Sequence, residues 1–261
     1  GLLTPLSAAT ALVVERITDE QRLRKARIHP LAVLSALNTY SSGKGARGSL
    51  RWQPVQPIVD ALDQAFYLAF GNVEPTGKRL VLALDVSGSM SIGEIAGVPG
   101  LTPRVASAAM ALVTAAVEPH HTLVAFSAAS GGHGGQWGGG EAGLTPVALS
   151  PRQRLDEVVR RLAAIPMGGT DCALPMRWAQ KQGIKADVFV IYTDSETWHG
   201  PIHPVQALQE YRRQSGIPAK LIVVGMTSNG FSIADPNDGG MLDVVGFDTA
   251  TPQLMADFIM A

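Results

Sequence analysis

From residue 79 onward, apolar positions fall into short continuous runs separated by stretches of helical spacing. The runs cover 80–84, 122–126, 146–149, 188–192, 220–224 and 244–247, and most are rich in Val, Leu and Ile on both faces. Strands read this way when helices cover both sides of a parallel sheet. Between them the pattern predicts a helix opened by Thr102-Pro103 and reaching Val117. A second is opened by Ser150-Pro151, with Leu155, Val158, Val159 and Leu162 inward. Two more, over 174–182 and 204–215, stop at Gly183 and Gly216. This alternation predicts a doubly wound, Rossmann-like α/β domain with a mostly parallel central sheet.

The first seventy residues read differently, as helices alone. Thr4-Pro5, Thr18 followed by Asp19-Glu20-Gln21, and Pro30 resemble helix starts, and Gly43 and Gly71 plausible stops. A helix over 30–40 puts Leu31, Leu34, Leu37 and Asn38 near one face. One over 55–70 groups Ile58, Leu62, Ala65, Phe66 and Ala69. The expected division is therefore a helical segment over 1–70 and an α/β domain over 71–261. Between the helices, SSGKGARGSLR at 41–51 reads as a Gly/Ser/basic loop. A second loop, rich in glycine, spans 130–143; His133 there has no nearby second metal ligand.

With 46% hydrophobic and 16% charged residues, the 261-residue chain has ample material for a core. A single cysteine, Cys172, excludes an internal disulfide framework and suits a reducing compartment, so a cytoplasmic location is expected. No apolar run reaches the roughly 18 residues of a membrane span, and no membrane partner is expected. Beginning at Gly1 in helix-like sequence, the chain reads as a piece of a longer one. The net charge of −1 hides an asymmetry: eight Lys/Arg face three Asp/Glu up to position 51, and thirteen face nineteen beyond it. A basic segment on an acidic domain allows nucleic-acid contact at one end only. Arg22, Arg24, Lys25, Arg27, Lys44, Arg47 and Arg51 are the candidates, with Lys44, Arg47 and Arg51 foremost; a solvated helix face explains such charges equally well.

The chemistry gathers at strand ends. In LVLALDVSGSMS, residues 80–91, an apolar run stops at Asp85, and Ser87, Ser89 and Ser91 follow at every second position. Where the chain is still extended, residues two apart point the same way, so Asp85, Ser87 and Ser89 can converge. GGTD at 168–171 precedes a helix, and YTDSE at 192–196 follows the fourth strand. In doubly wound sheets ligands bind beyond these carboxyl ends. Carboxylates and hydroxyls without clustered His or Cys suit Mg2+, Mn2+ or Ca2+, not zinc.

LDVSGSM, GGTD and IYTDSE resemble the three loops of the metal-ion-dependent adhesion site of von Willebrand factor A domains. The resemblance implies that Asp85, Ser87 and Ser89 supply the first loop, Thr170 the second and Asp194 the third, with Asp171 acting through water. It also implies a divalent cation, Mg2+ first with Mn2+ or Ca2+ as alternatives, which keeps a coordination position open for an acidic partner. Recognition rather than turnover follows. RIHPLAVLSALNTYSSGKGARG, IPMGGTDCALPMRWAQ and IPAKLIVVGMTSNGFSIADP are similar to the C-terminal part of the Ro autoantigen family. That family joins a ring of helical repeats (the TROVE module) to a von Willebrand A domain. The resemblance implies that the intact protein binds Y RNA and misfolded RNAs, with residues 1–70 as the end of the helical module. It covers nearly all of the chain from about Arg27, departing mainly at the glycine-rich stretch.

Other signals carry less. Gly77-Lys78 lacks the P-loop glycine at position 72, which is Asn72, and precedes its strand. DPNDG at 235–239 lacks the glutamate of a calcium loop and reads as a turn. Cys172 and Trp178 read as core packing, and His199 and His203 as a rim to the site or as surface caps. Metal-dependent phosphoryl chemistry at Asp85 is the enzymatic alternative. Against it, Ser87 stands where a second aspartate would be needed, and no basic residue flanks the first loop. A third reading has the chain bind RNA directly through residues 22–51.

Overall fold

The computed structural model describes residues 3–45, 47–95, 98, 100–127, 143–150, 153–194, 200–227, 233–246 and 250–261. Most of the glycine-rich loop with His133, the predicted helix start at Pro151, Ser195, Glu196, His199 and Phe247 lie outside them. The chain divides into two compact units, Gly1–Pro75 with Glu94–Leu101, and Thr76–Gly93 with Thr102–Ala261.

The first unit is helical: α1 Ala8–Ile17, α2 Glu20–Lys25, α3 Pro30–Ser41 and α4 Gln56–Leu68, the last running into a 3-10 turn at Ala69–Asn72. Capping moves two of the predicted starts. Ser7, not Thr4, accepts the Thr10 amide at 3.1 Å and opens α1; Asp19, not Thr18, accepts the Arg22 amide at 3.1 Å and opens α2. α3 and α4 pack through Leu31, Val33, Leu34, Ile58, Ala61, Ala65 and Phe66, all buried. Residues 43–45 and 50–52 pair as a small hairpin rather than an open loop. Lys44 bridges Arg51 antiparallel, the Trp52 amide donates to the Gly43 carbonyl at 3.0 Å, and the Trp52 ring stacks on Tyr40.

The second unit carries a six-stranded sheet in the order β3-β2-β1-β4-β5-β6. Its strands are β1 Leu80–Asp85, β2 His121–Phe126, β3 Leu144–Pro146, β4 Val188–Thr193, β5 Lys220–Gly225 and β6 Met241–Val245. Every neighbouring pair is parallel except β2 with β3, which is antiparallel. β3 lies two residues earlier than the apolar pattern predicted. As a three-residue edge strand it tolerates Pro146, which has no amide to donate. The last strand likewise starts three residues earlier, at Met241, where Leu221 pairs with it.

Helices α5 Pro103–Val117 and α6 Leu155–Ala163 pack together, with α5 on β1, β2 and β4. Helices α7 Leu174–Lys181 and α8 Pro204–Ser215 cover the face that presents Val81, Ala83, Phe189, Ile191, Leu221 and Val223, with Cys172, Trp178 and Tyr211 inside the same core. A terminal helix, α9 Thr251–Met260, was not predicted. β1, β4 and β5 are buried on both faces almost throughout, which is why they read as unbroken apolar runs. From β1 the chain winds outward one way to β2 and β3, then crosses to β4, β5 and β6. The order therefore switches between β1 and β4, and ligand sites of such sheets lie beyond that point.

Candidate metal centre

Asp85 is the last residue of β1, and its carboxylate is almost entirely buried. Its Oδ1 accepts the Ser87 amide at 2.7 Å, a tight side-chain turn that swings the chain out of the strand. Its Oδ2 accepts the hydroxyls of Thr193 at 2.8 Å and Thr170 at 3.3 Å. One carboxylate thus ties the ends of β1 and β4 to the loop before α7. The Ser87 and Ser89 hydroxyls lie 3.1 Å apart, Ser87 buried and Ser89 at the exposed rim. The strand-like alternation ends at Ser87. Gly88–Ser91 is a 3-10 turn, so Ser89 reaches the group through a turn, and Ser91 points to solvent.

Asp194 follows Thr193 directly and is buried; its backbone carbonyl accepts the Thr227 hydroxyl at 3.1 Å. Its charge is felt by Asp85. Burial is the main force pushing the Asp85 carboxyl up to about 6, and the Asp194 carboxylate adds to it, while hydrogen bonds from Ser87 and Thr193 oppose the rise. Asp85, Ser87, Ser89, Thr170 and Asp194 are therefore brought to one edge of the sheet. Asp171, next to Thr170, is buried; its Oδ1 accepts the Ala173 amide at 3.0 Å, and its Oδ2 lies 4.0 Å from Arg177.

Gly200 closes over Asp171. A Cβ at this glycine would sit 2.6 Å from the Asp171 carboxylate, and its φ of +121° is one that other residues rarely adopt. Gly200→Ala is expected to cost about 2 kcal/mol or more, read as a lower urea midpoint with an unchanged m-value. An unchanged midpoint would show that the approach is not tight.

Two residues of the site escaped the sequence reading. Thr193 has no role that the sequence pattern assigns, yet it makes the shortest hydroxyl contact to Asp85. Arg104, in the first turn of α5, is 8% exposed and donates from Nη2 to the carbonyls of Val86 at 3.3 Å and Ser87 at 3.2 Å. The expectation that no basic residue flanks the first loop is thus corrected: the flank is supplied by a helix, seventeen positions beyond Ser87. A sequence signal existed, since a cation in a first helical turn opposes the helix dipole and needs another reason to be there.

The donor set fits a hard divalent cation. All its groups are oxygens, and Asp85 enters no ion pair among the described residues, so the hydroxyls and one amide only partly offset the cost of burying its charge. Among the described residues no group of three or more His, Cys, Asp or Glu side chains gathers, so a cation here would rest on two carboxylates and on hydroxyls.

The motifs set aside by sequence also have their places. Asp235 accepts the Asn237 amide, and Asp238 is held by Arg212, so 235–239 is a braced turn. His203 caps α8, accepting the Val205 amide. In the helical unit, Arg22 pairs with Asp19 and Arg24 with Glu20, both at 2.9 Å, as on a solvated helix face. Lys44, Arg47 and Arg51 are exposed and enter no ion pair among the described residues.

The model of the Ro60 vWA domain family matches residues 79–259, the whole sheet with its site. The chain belongs to this family. It is 47% identical over 259 residues to the RNA-binding protein RO60 of Deinococcus radiodurans, covering 99% of this chain and 46% of that protein. It is 44% identical over 248 residues to the RNA-binding protein RO60 of Caenorhabditis elegans, covering 95% of this chain and 36% of that one. The crystal structure of the Deinococcus radiodurans Ro (Rsr) protein superposes with a TM-score of 0.89 at 46% identity, over all of this chain and half of that one. The chain thus spans half or less of the length of the Ro60 relatives it matches.

Proposed function

We propose that this chain is the recognition part of a Ro-type RNA-binding protein, in which Asp85, Ser87, Ser89, Thr170 and Asp194 hold a divalent cation that meets an acidic group on a partner. The observation that carries this reading is the oxygen-only cluster at the switch point, built around a buried carboxylate with no ion-pair partner among the described residues. Mg2+ is the first choice, with Mn2+ and Ca2+ as alternatives. The ion would supply a Lewis-acidic position that a carboxylate can fill, and the protein groups would bind and orient it. The role is recognition, not turnover: Arg104, the one cation among the described residues found to reach the first loop, is committed to two backbone carbonyls, and Ser87 offers no second carboxylate for phosphoryl chemistry. Calorimetry with Mn2+ tests the reading. One ion is expected per chain, and Asp85→Ala should lose it while still unfolding cooperatively; unchanged affinity in that variant would overturn the assignment.

In the intact protein the RNA ligands are proposed to be Y RNA and misfolded RNAs, in the cytoplasm, with residues 1–70 forming the end of a TROVE helical module. A specific feature favours RNA contact within this chain as well. Lys44 and Arg51 face each other across the hairpin bridge, where like charges repel, and no carboxylate among the described residues relieves them. With Arg47 between them in sequence, the hairpin offers three exposed cations to a phosphate backbone.

A further inference from the structure

Met167 and Arg104 meet at the first loop in a way that packing alone does not explain. The Arg104 guanidinium is buried, donates from Nη2 to the Val86 and Ser87 carbonyls, and has no acceptor for Nε among the described residues. The same Nη2 lies 3.9 Å from the Met167 sulfur. A thioether is a weak acceptor, so this buried cation keeps donor capacity that its neighbours fill poorly. Met167 itself is 56% exposed and stands beside Gly88, where an added Cβ would lie 3.8 Å from the sulfur.

The chain has eight methionines. Met90, Met110, Met176, Met226, Met241 and Met255 are buried, which leaves Met167 and Met260 open to a small oxidant in solution. Met260 ends α9 and has no cation at its sulfur among the described residues. Met167 is therefore the accessible thioether whose oxidation has a waiting donor.

With hydrogen peroxide, a sulfur lone pair attacks one peroxide oxygen, so an S–O bond forms and the O–O bond breaks. The hydroxide released takes the proton of the transferred OH and leaves as water. Sulfur is oxidised by two electrons and the peroxide is reduced. The sulfoxide oxygen extends one bond beyond the sulfur, which brings it from 3.9 Å into hydrogen-bond reach of Nη2. A bond from a guanidinium to that oxygen is charge-assisted, unlike the contact it replaces. We infer that Met167 is a redox-responsive residue of the first loop: peroxide converts it to a sulfoxide whose oxygen Arg104 takes up, pinning the loop, and methionine sulfoxide reductases release it. The capture needs no metal ion. Methionine oxidation ordinarily disrupts a fold, so the expected sign here is the opposite one.

The test uses the full chain carrying Met260→Leu, treated briefly with hydrogen peroxide in the presence of chelator. Peptide mass mapping should find the added oxygen on Met167 before any of the six buried methionines. The thermal midpoint of the oxidised chain should rise by about 2–4 °C, the effect of one charge-assisted hydrogen bond in a chain of this length. Methionine sulfoxide reductases should return it to its starting value. Arg104→Gln, which keeps a donor and removes the charge, should lose the rise. Without any oxidant, Met167→Gln sets a permanent amide oxygen in the place of the sulfoxide oxygen and should raise the midpoint above that of Met167→Leu. This pair of variants stands even if Arg104→Gln folds poorly. A midpoint that falls or stays unchanged on oxidation of Met167 would overturn the inference. So would an equal rise in Arg104→Gln, a Met167→Gln midpoint no higher than that of Met167→Leu, or oxygen found first on a buried methionine.

Discussion

Asp85→Asn is expected to raise the stability of the metal-free protein by about 3 kcal/mol at pH 7.5 and to abolish its response to Mn2+. The Asp85 carboxyl holds its proton up to about 6 in the folded chain, against an ordinary value of 3.8. The stabilisation it gives when protonated is complete below pH 3.8 and is lost as pH rises through 6. At pH 7.5 the metal-free fold therefore carries a buried charge that the unfolded chain does not mind. Asparagine removes the charge and keeps an oxygen for the Ser87 amide, while the Thr170 and Thr193 hydroxyls can rotate to accept from its amide.

Thermal unfolding in chelator checks this, with a gain of roughly 6–10 °C for a chain of this size. The gain should shrink toward nothing as pH is lowered from 7.5 to 4, where the wild type protonates Asp85 for itself. Saturating Mn2+ should reverse the order, because only the wild type gains binding energy from the ion. A variant less stable than the wild type in chelator at every pH would mean that Asp85 is held mainly by its hydrogen bonds.

Neutralising the hairpin should have the second large effect. Replacing Lys44, Arg47 and Arg51 together with Gln is expected to weaken single-stranded RNA binding by about 100-fold at 0.1 M salt and to lower the salt slope by about 2. The loss should be similar for different RNA sequences, because phosphate contacts carry no base information. Trp52 is not expected to serve as a stacking platform. Its indole N–H donates to the Tyr40 carbonyl at 2.8 Å and its ring is stacked on Tyr40, so it braces the hairpin from below. Fluorescence anisotropy across a salt series reads both numbers. An unchanged slope would move the RNA surface elsewhere, and the three cations would then be a solvated turn.

Much of this molecule could be read before folding, for a physical reason. A strand covered on both faces must be apolar at every position, so β1, β4 and β5 stood out, and Asp85 stood out against its own strand. Edges gave no such signal. β3 has one paired neighbour and a single buried residue, so its position depends on its register with β2, which periodicity does not report. The same limit applies to β6, where only Met241 and Val244 are buried.

The site was partly open to the same reading. Carboxylates and hydroxyls at strand ends point to their chemistry by type, whereas Thr193 and Arg104 act through where the fold closes. Thr193 becomes a partner of Asp85 only because β4 lies beside β1. Arg104 reaches the first loop only because α5 starts beneath it.

The most direct test of the central claim is a crystal of this chain soaked in Mn2+ and measured at a wavelength where manganese scatters anomalously. One strong peak is expected among the side-chain oxygens of Asp85, Ser87, Ser89, Thr170 and Asp194, with its nearest protein oxygens at about 2.1 Å. A well-ordered site with no anomalous peak there, or with manganese bound only elsewhere, would contradict it.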